Sequence, residues 1–407
     1  TALTTLTTNA SGTTYINGGA ITTSSTQTYN DAVVLGADTT LTTTDSNITF
    51  SSTIDSDSGD SKRDLTLTLG SGSASITGIV GTTSLADITL NSSATFNAAI
   101  TATNLTIAAN KTATVKDDVT IASNITLNNN STLAVINTAA ITIAGTILEN
   151  GGSASNTSIT VKFNTANTVS EKVTFSGAVT TDAIYVGDTA AATYAGYAHF
   201  TGSGGVTVTD ATVTSGDHAN EYSIMQFDYA VSASNEITIN DKNGTAYQAY
   251  LIFSGDNTAT IAGNIVTVDD EGTLQVTGTG KTFAGSIGSS TYQLELINID
   301  VATTFNGAVY TTDLEVDGAI TSTNSLFVSE ISTINADVTT TGTQTYTGAA
   351  TLNADVILTT TDNNISFGST INSFDTTYRD LSLVTGSGSV SVTGIIGADD
   401  KLDVLTV

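Results

Sequence analysis

Residues Ile100–Ile147 read ITATNLTIAANKTATVKDDVTIASNITLNNNSTLAVINTAAITIAGTI. Within them Leu105/Ile107 returns as Ile125/Leu127, and Val119/Ile121 returns as Ile141/Ile143, both at intervals of about 20 residues. Each pair holds a single threonine between two aliphatics, which is the period-2 signature of a strand with one face buried and the other wet. Asn, Asp and Gly separate the strands, as corners require. A coil of about 20 residues, built from three short strands, is the pattern expected of a parallel β-helix.

The alternation extends through the chain. Leu65-Thr-Leu67-Thr-Leu69, Val206-Thr-Val208, Ile237-Thr-Ile239 and Val390-Ser-Val392 repeat it, and no segment sustains a 3.6-residue apolar stripe. The chain is therefore expected to be all-β, one β-solenoid over residues 1–407, with roughly 20 coils of about 20 residues each. A string of sandwiches would call for long Greek-key connections and commonly larger aromatics at the core, and neither is evident. The expected interior is stacked Val, Ile, Leu, Ala and Phe, with Thr and Ser outside, because a β-branched hydroxyl residue favours extended backbone yet remains wettable.

Composition agrees. Threonine supplies 83 of the 407 residues, and Pro, Cys and Trp are absent. Without proline a hydrogen-bond ladder can run uninterrupted. The hydrophobic share of 39% is enough for a packed interior. A formal net charge of −28 disfavours nucleic acid and anionic lipid as partners, since both need a dense Lys/Arg surface. Zero cysteines exclude disulfides and thiolate metal sites. No run of about 18 apolar residues marks a membrane-spanning helix.

The chain also repeats at long range. Thr26–Ile54 (TQTYNDAVVLGADTTLTTTDSNITFSSTI) matches Thr343–Ile371 (TQTYTGAATLNADVILTTTDNNISFGSTI) at 19 of 29 positions, although the two stand near opposite ends of the sequence. After a one-residue deletion, Arg63–Gly81 is answered by Arg379–Gly397, so residues 26–81 and 343–397 form homologous segments of a tandem array. Between them, residues 182–255 are irregular and rich in aromatics, and hold both histidines, His199 and His218.

With the repeat unit quoted, the chain resembles the β-strand-repeat, filamentous-haemagglutinin-like surface adhesins of bacteria. The residues that carry the resemblance are Thr1–Val34, Leu35–Phe50 and their echoes Thr343–Phe367 and Gly386–Val407. It implies secretion, a right-handed parallel β-helix, and a role as an adhesin shaft or surface filament. It brings no catalytic residues with it.

Two sets of residues stand out as candidate sites. Asp55, Asp57 and Asp60 alternate with small residues in a manner that could wrap calcium through oxygen ligands, although an EF-hand would need Glu where Thr66 stands. Tyr194, Tyr197, His199, Phe200, His218 and Tyr222 offer amphipathic area for a contact surface, with surface glycans as the partner class. Wider coils filled by larger side chains would explain the same residues without a partner. Polysaccharide cleavage in an elongated groove needs a paired-carboxylate site. The repeats contain no acid pair that distinguishes itself, and the reading is non-enzymatic. A flat ice-binding Thr face would need Thr pairs in register over many coils, whereas Thr39–Thr44 and Thr359–Thr361 are local runs.

Neither terminus reads as an amphipathic or charged cap for an exposed ladder. The expectation is a secreted structural protein whose partner is itself, through head-to-tail stacking or continuation of a longer tandem chain. The alternative is a carbohydrate-binding or carbohydrate-cleaving β-helix centred on the aromatic middle.

Overall fold

A computed structural model describes every residue except 1–2, 152–155, 164–170, 188–194, 216–221, 242–248 and 269. The described residues are all-β, without a helix, and wind as a parallel β-solenoid of about 17 turns with about 22 residues per turn. The turns are slightly longer than the strand spacing suggests because corner lengths vary. Two compact units result, Thr1–Gly204 and Gly205–Val407.

In the first unit the strands Val80–Leu90, Ile100–Ile107, Val119–Asn128 and Ile141–Asn150 lie parallel, one coil above another. Ile88, Leu105, Ile125 and Ile147 share one inward column, and Leu90, Ile107 and Leu127 another. The expected match of Leu105/Ile107 with Ile125/Leu127 is therefore present. The other expected match is shifted: Val119 faces Ile143, not Ile141. The register slips between Thr120 and Asn124, opposite Gly145 at φ 126°, so a corner absorbs the difference. A second wall stacks Ile76, Phe96, Val115, Val135 and Val161.

The second unit follows the same plan. Met225, Leu251, Leu274, Ile297, Leu314, Ser332, Ala350 and Ile371 form one continuous column through eight parallel strands. On another wall Phe283 stacks on Phe305, with ring centroids 5.2 Å apart, and meets Phe253 edge-on at 5.1 Å. Each such ring pair contributes about 0.5–1.5 kcal/mol beyond the area it buries.

The interior is less purely aliphatic than the alternation suggests. Thr23, Thr43, Thr311, Thr340 and Thr360 are buried, each at most 4% exposed. All five hydroxyls donate to carbonyls two or three residues ahead: Thr23 to Ser25, Thr311 to Asp313, Thr340 to Gly342, and Thr43 and Thr360 to Ser46 and Asn363. A carbonyl at a corner has left the ladder, and a nearby hydroxyl satisfies it where water is excluded.

Some corners approach one another too closely for any side chain. A Cβ on Gly285 would stand 2.1 Å from the carbonyl oxygen of Gly263, and one on Gly307 would stand 2.3 Å from that of Gly285. In the first unit Gly177 and Gly202 repeat the arrangement above Gly145. Glycine columns thus let successive corners nest at the coil repeat.

Candidate functional site

The long-range repeat builds the same coil twice. In the first copy Gln27 and Tyr29 occupy alternate positions on the strand Gln27–Tyr29, so both turn inward. The Gln27 amide nitrogen, Nε2, donates to the carbonyls of Thr42 at 2.9 Å and Ile21 at 3.3 Å, while the Tyr29 hydroxyl donates to Gln27 Oε1 at 2.9 Å. In the second copy Gln344 Nε2 donates to Thr359 and Val338 at 2.9 and 3.0 Å, and Tyr346 to Gln344 Oε1 at 3.1 Å. Each tyrosine lies flat on the phenylalanine of the next coil, Tyr29 on Phe50 at 4.8 Å and Tyr346 on Phe367 at 5.0 Å. Burial pushes both phenols well above the ordinary tyrosine range, which keeps them neutral donors.

A column of acidic side chains runs outside this coil. Asp38 accepts the backbone N–H of Asp64 at 3.2 Å, and Asp64 accepts that of Asp87 at 3.0 Å. In the second unit Asp337, Asp355 and Asp380 accept the N–H groups of Ile357, Asp380 and Val404 at 2.8, 2.9 and 3.1 Å. These three aspartates line a cleft of about 390 Å³ together with Val356, Ile357 and Val404. Each carboxylate ties one coil to the next, a role that charge counting alone does not reveal.

The expected calcium turn has another arrangement. Arg63 holds Asp57 in a two-point contact, Nε to Oδ1 at 2.8 Å and Nη2 to Oδ2 at 3.0 Å, and this hydrogen bonding keeps the Asp57 carboxyl below its usual range. Asp55 turns away to accept the N–H of Thr83 at 2.8 Å, and Asp60 is exposed. As placed, these residues do not form a calcium cage, because Asp55 and Asp57 face different partners. Among the described residues no three His, Cys, Asp or Glu side chains gather to hold a metal. In the second copy Phe374 replaces Asp57, and Nε of Arg379 lacks a hydrogen bond.

Of the aromatic group, Tyr194 and His218 lie outside the described residues. Tyr197, His199 and Phe200 belong to the first unit. Phe200 is buried and stacks on Phe175 at 4.8 Å; His199 is 9% exposed. Lys172 Nζ lies 3.2 Å from His199 Nδ1 and 5.9 Å from the centre of the half-buried Tyr197 ring. In the second unit the half-buried Tyr222 tilts against Tyr250 at 5.8 Å. His199 and Phe200 therefore serve packing, and Tyr197 and Tyr222 keep partial exposure.

In the second unit the strand Leu402–Thr406 pairs in parallel with Arg379–Val384. Leu405 pairs with Leu381 as Ile88 pairs with Leu65 in the first copy. Ile88 and Leu90 are fully buried because Leu105 and Ile107 stack upon them, whereas Leu405 is 41% and Val407 76% exposed. No protein-family model matches the sequence, and no curated protein or solved structure is significantly similar to it.

Proposed function

We propose that this chain is a non-enzymatic structural protein of the bacterial exterior, an adhesin shaft or filament element of the β-strand-repeat kind. One observation carries the reading: the buried Gln-x-Tyr coil, with its stacked phenylalanine, is built twice, from Thr26–Ile54 and again from Thr343–Ile371. Selection for the same coil at two places favours a repeating material over a single reactive cleft. The side chains with strongly engaged polar groups are consistent with that role, since they tie coil to coil.

The self-partner belongs to the same reading. Leu405 pairs with Leu381 as Ile88, which a further coil covers, pairs with Leu65 in the first unit. A further coil, from a longer chain or from a second copy, would bury Leu405.

Electron microscopy of the purified chain over a range of concentrations tests the proposal. Fibres that lengthen with concentration, and are lost in Leu405→Asp, are expected. Discrete particles at every concentration, together with low resistance to mechanical unfolding, would overturn it.

A further inference from the structure

Lys281 opens the strand Lys281–Phe283, where alternation turns both residues inward. Its neighbours in the same column are Ala259 below and Thr303 above, so a long charged side chain is out of pattern. The residue is 1% exposed. Its Nζ reaches the corner of the preceding coil, donating to the carbonyls of Gly255, of Asn257 at 3.1 Å, and of Asp228 at 3.2 Å. It also stands 3.4 Å from Oδ1 of the Asn257 side chain.

The amide is held for this meeting. Asn257 Nδ2 donates to the carbonyl of Asp228 at 2.7 Å, leaving the amide carbonyl toward the amine. Burial lowers the Lys281 pKa, with Asp228 and then Asp256 pulling in the opposite direction. A desolvated lysine carries a larger neutral fraction, and the neutral amine is the nucleophile.

We propose that Lys281 and Asn257 join in an intramolecular isopeptide bond across adjacent coils. Neutral Nζ attacks Cγ of Asn257, the Nζ–Cγ bond forms, and the Cγ–Nδ2 bond breaks. Nδ2 departs as ammonia, taking the proton that Nζ gives up. One amide replaces another, so the step needs no oxidant, reductant or external reactant. The same pairing of residue types occurs at Lys116 and Asn97, 3.0 Å apart on the exposed surface, where water surrounds the amine. The reaction is assigned to the Lys281–Asn257 pair alone, where the lysine is buried and the asparagine half-buried.

The product would carry tension across two coils through a covalent bond rather than ladder hydrogen bonds. This goes beyond the structural role proposed above, and it stands or falls without it.

Intact-mass measurement and peptide mapping of the purified, unaltered chain test it. The expected result is a mass lower by one ammonia and a branched peptide joining residues 257 and 281, with no branch at 97 and 116. The full sequence mass would overturn the proposal. So would a missing ammonia that persists in Asn257→Ser, which would place the loss elsewhere. Lys281→Arg is expected to restore the full mass, because a guanidinium stays protonated and does not attack the amide.

Discussion

Tyr346 donates its phenolic hydrogen to Oε1 of Gln344, two residues back on the same inward face, at 3.1 Å. Gln344 in turn directs its amide hydrogens to carbonyls of other strands, at Thr359 and Val338. Tyr346→Phe or Gln344→Leu should each cost about 1–3 kcal/mol, because each leaves a buried polar atom without a partner. The double variant should cost less than the two together, and denaturant unfolding of the four chains measures the difference.

Gly285→Ala should destabilise the second unit by about 1–3 kcal/mol or more, since its Cβ would meet the Gly263 carbonyl at 2.1 Å. Gly59→Ala provides the comparison, because a Cβ there meets nothing within 4 Å. Thermal melting of the two variants should separate them clearly.

Stability should respond to acid through Asp57 and Glu295 with opposite signs. Arg63 lowers the folded pKa of Asp57, so its contribution is present above the ordinary carboxylate range and is lost as pH falls through the lowered value. Burial, then the Asp313 charge, raises the folded pKa of Glu295, so its penalty grows as pH rises from the ordinary range through the raised value. Asp57→Asn should therefore flatten the acid limb of a melting-temperature profile. Glu295→Gln should raise the melting temperature at neutral pH and leave it unchanged in strong acid.

Chelation should leave the melting temperature unchanged, given that Asp57 is engaged by Arg63 and Asp55 by Thr83. A downward shift on adding chelator, reversed by calcium, would show that the turn rearranges around the ion.

The winding is legible in the sequence because aliphatics alternate with hydroxyl residues along the strands, and Leu105/Ile107 finds Ile125/Leu127 as spacing predicts. Register is less legible where corners differ in length: Val119 slides to Ile143 because Gly145 permits a backbone turn that spacing does not encode. Polar residues are hardest. Gln27 and Lys281 obey alternation and face inward, yet their chemistry argues for the surface; only the neighbouring Tyr29 and Phe283, two positions on, signal which face they share. The acidic turn is visible as composition, but Arg63, further along the same loop, decides what the Asp57 carboxylate does.

Because Thr26–Ile54 and Thr343–Ile371 fold into the same coil, crossover between their coding sequences would excise or duplicate the whole intervening stretch at a single stroke. The resulting junction would inherit a glutamine whose amide is already engaged and a tyrosine ring already seated on its phenylalanine. Length in such a chain is a heritable variable that genomic slippage can tune without posing a new folding problem.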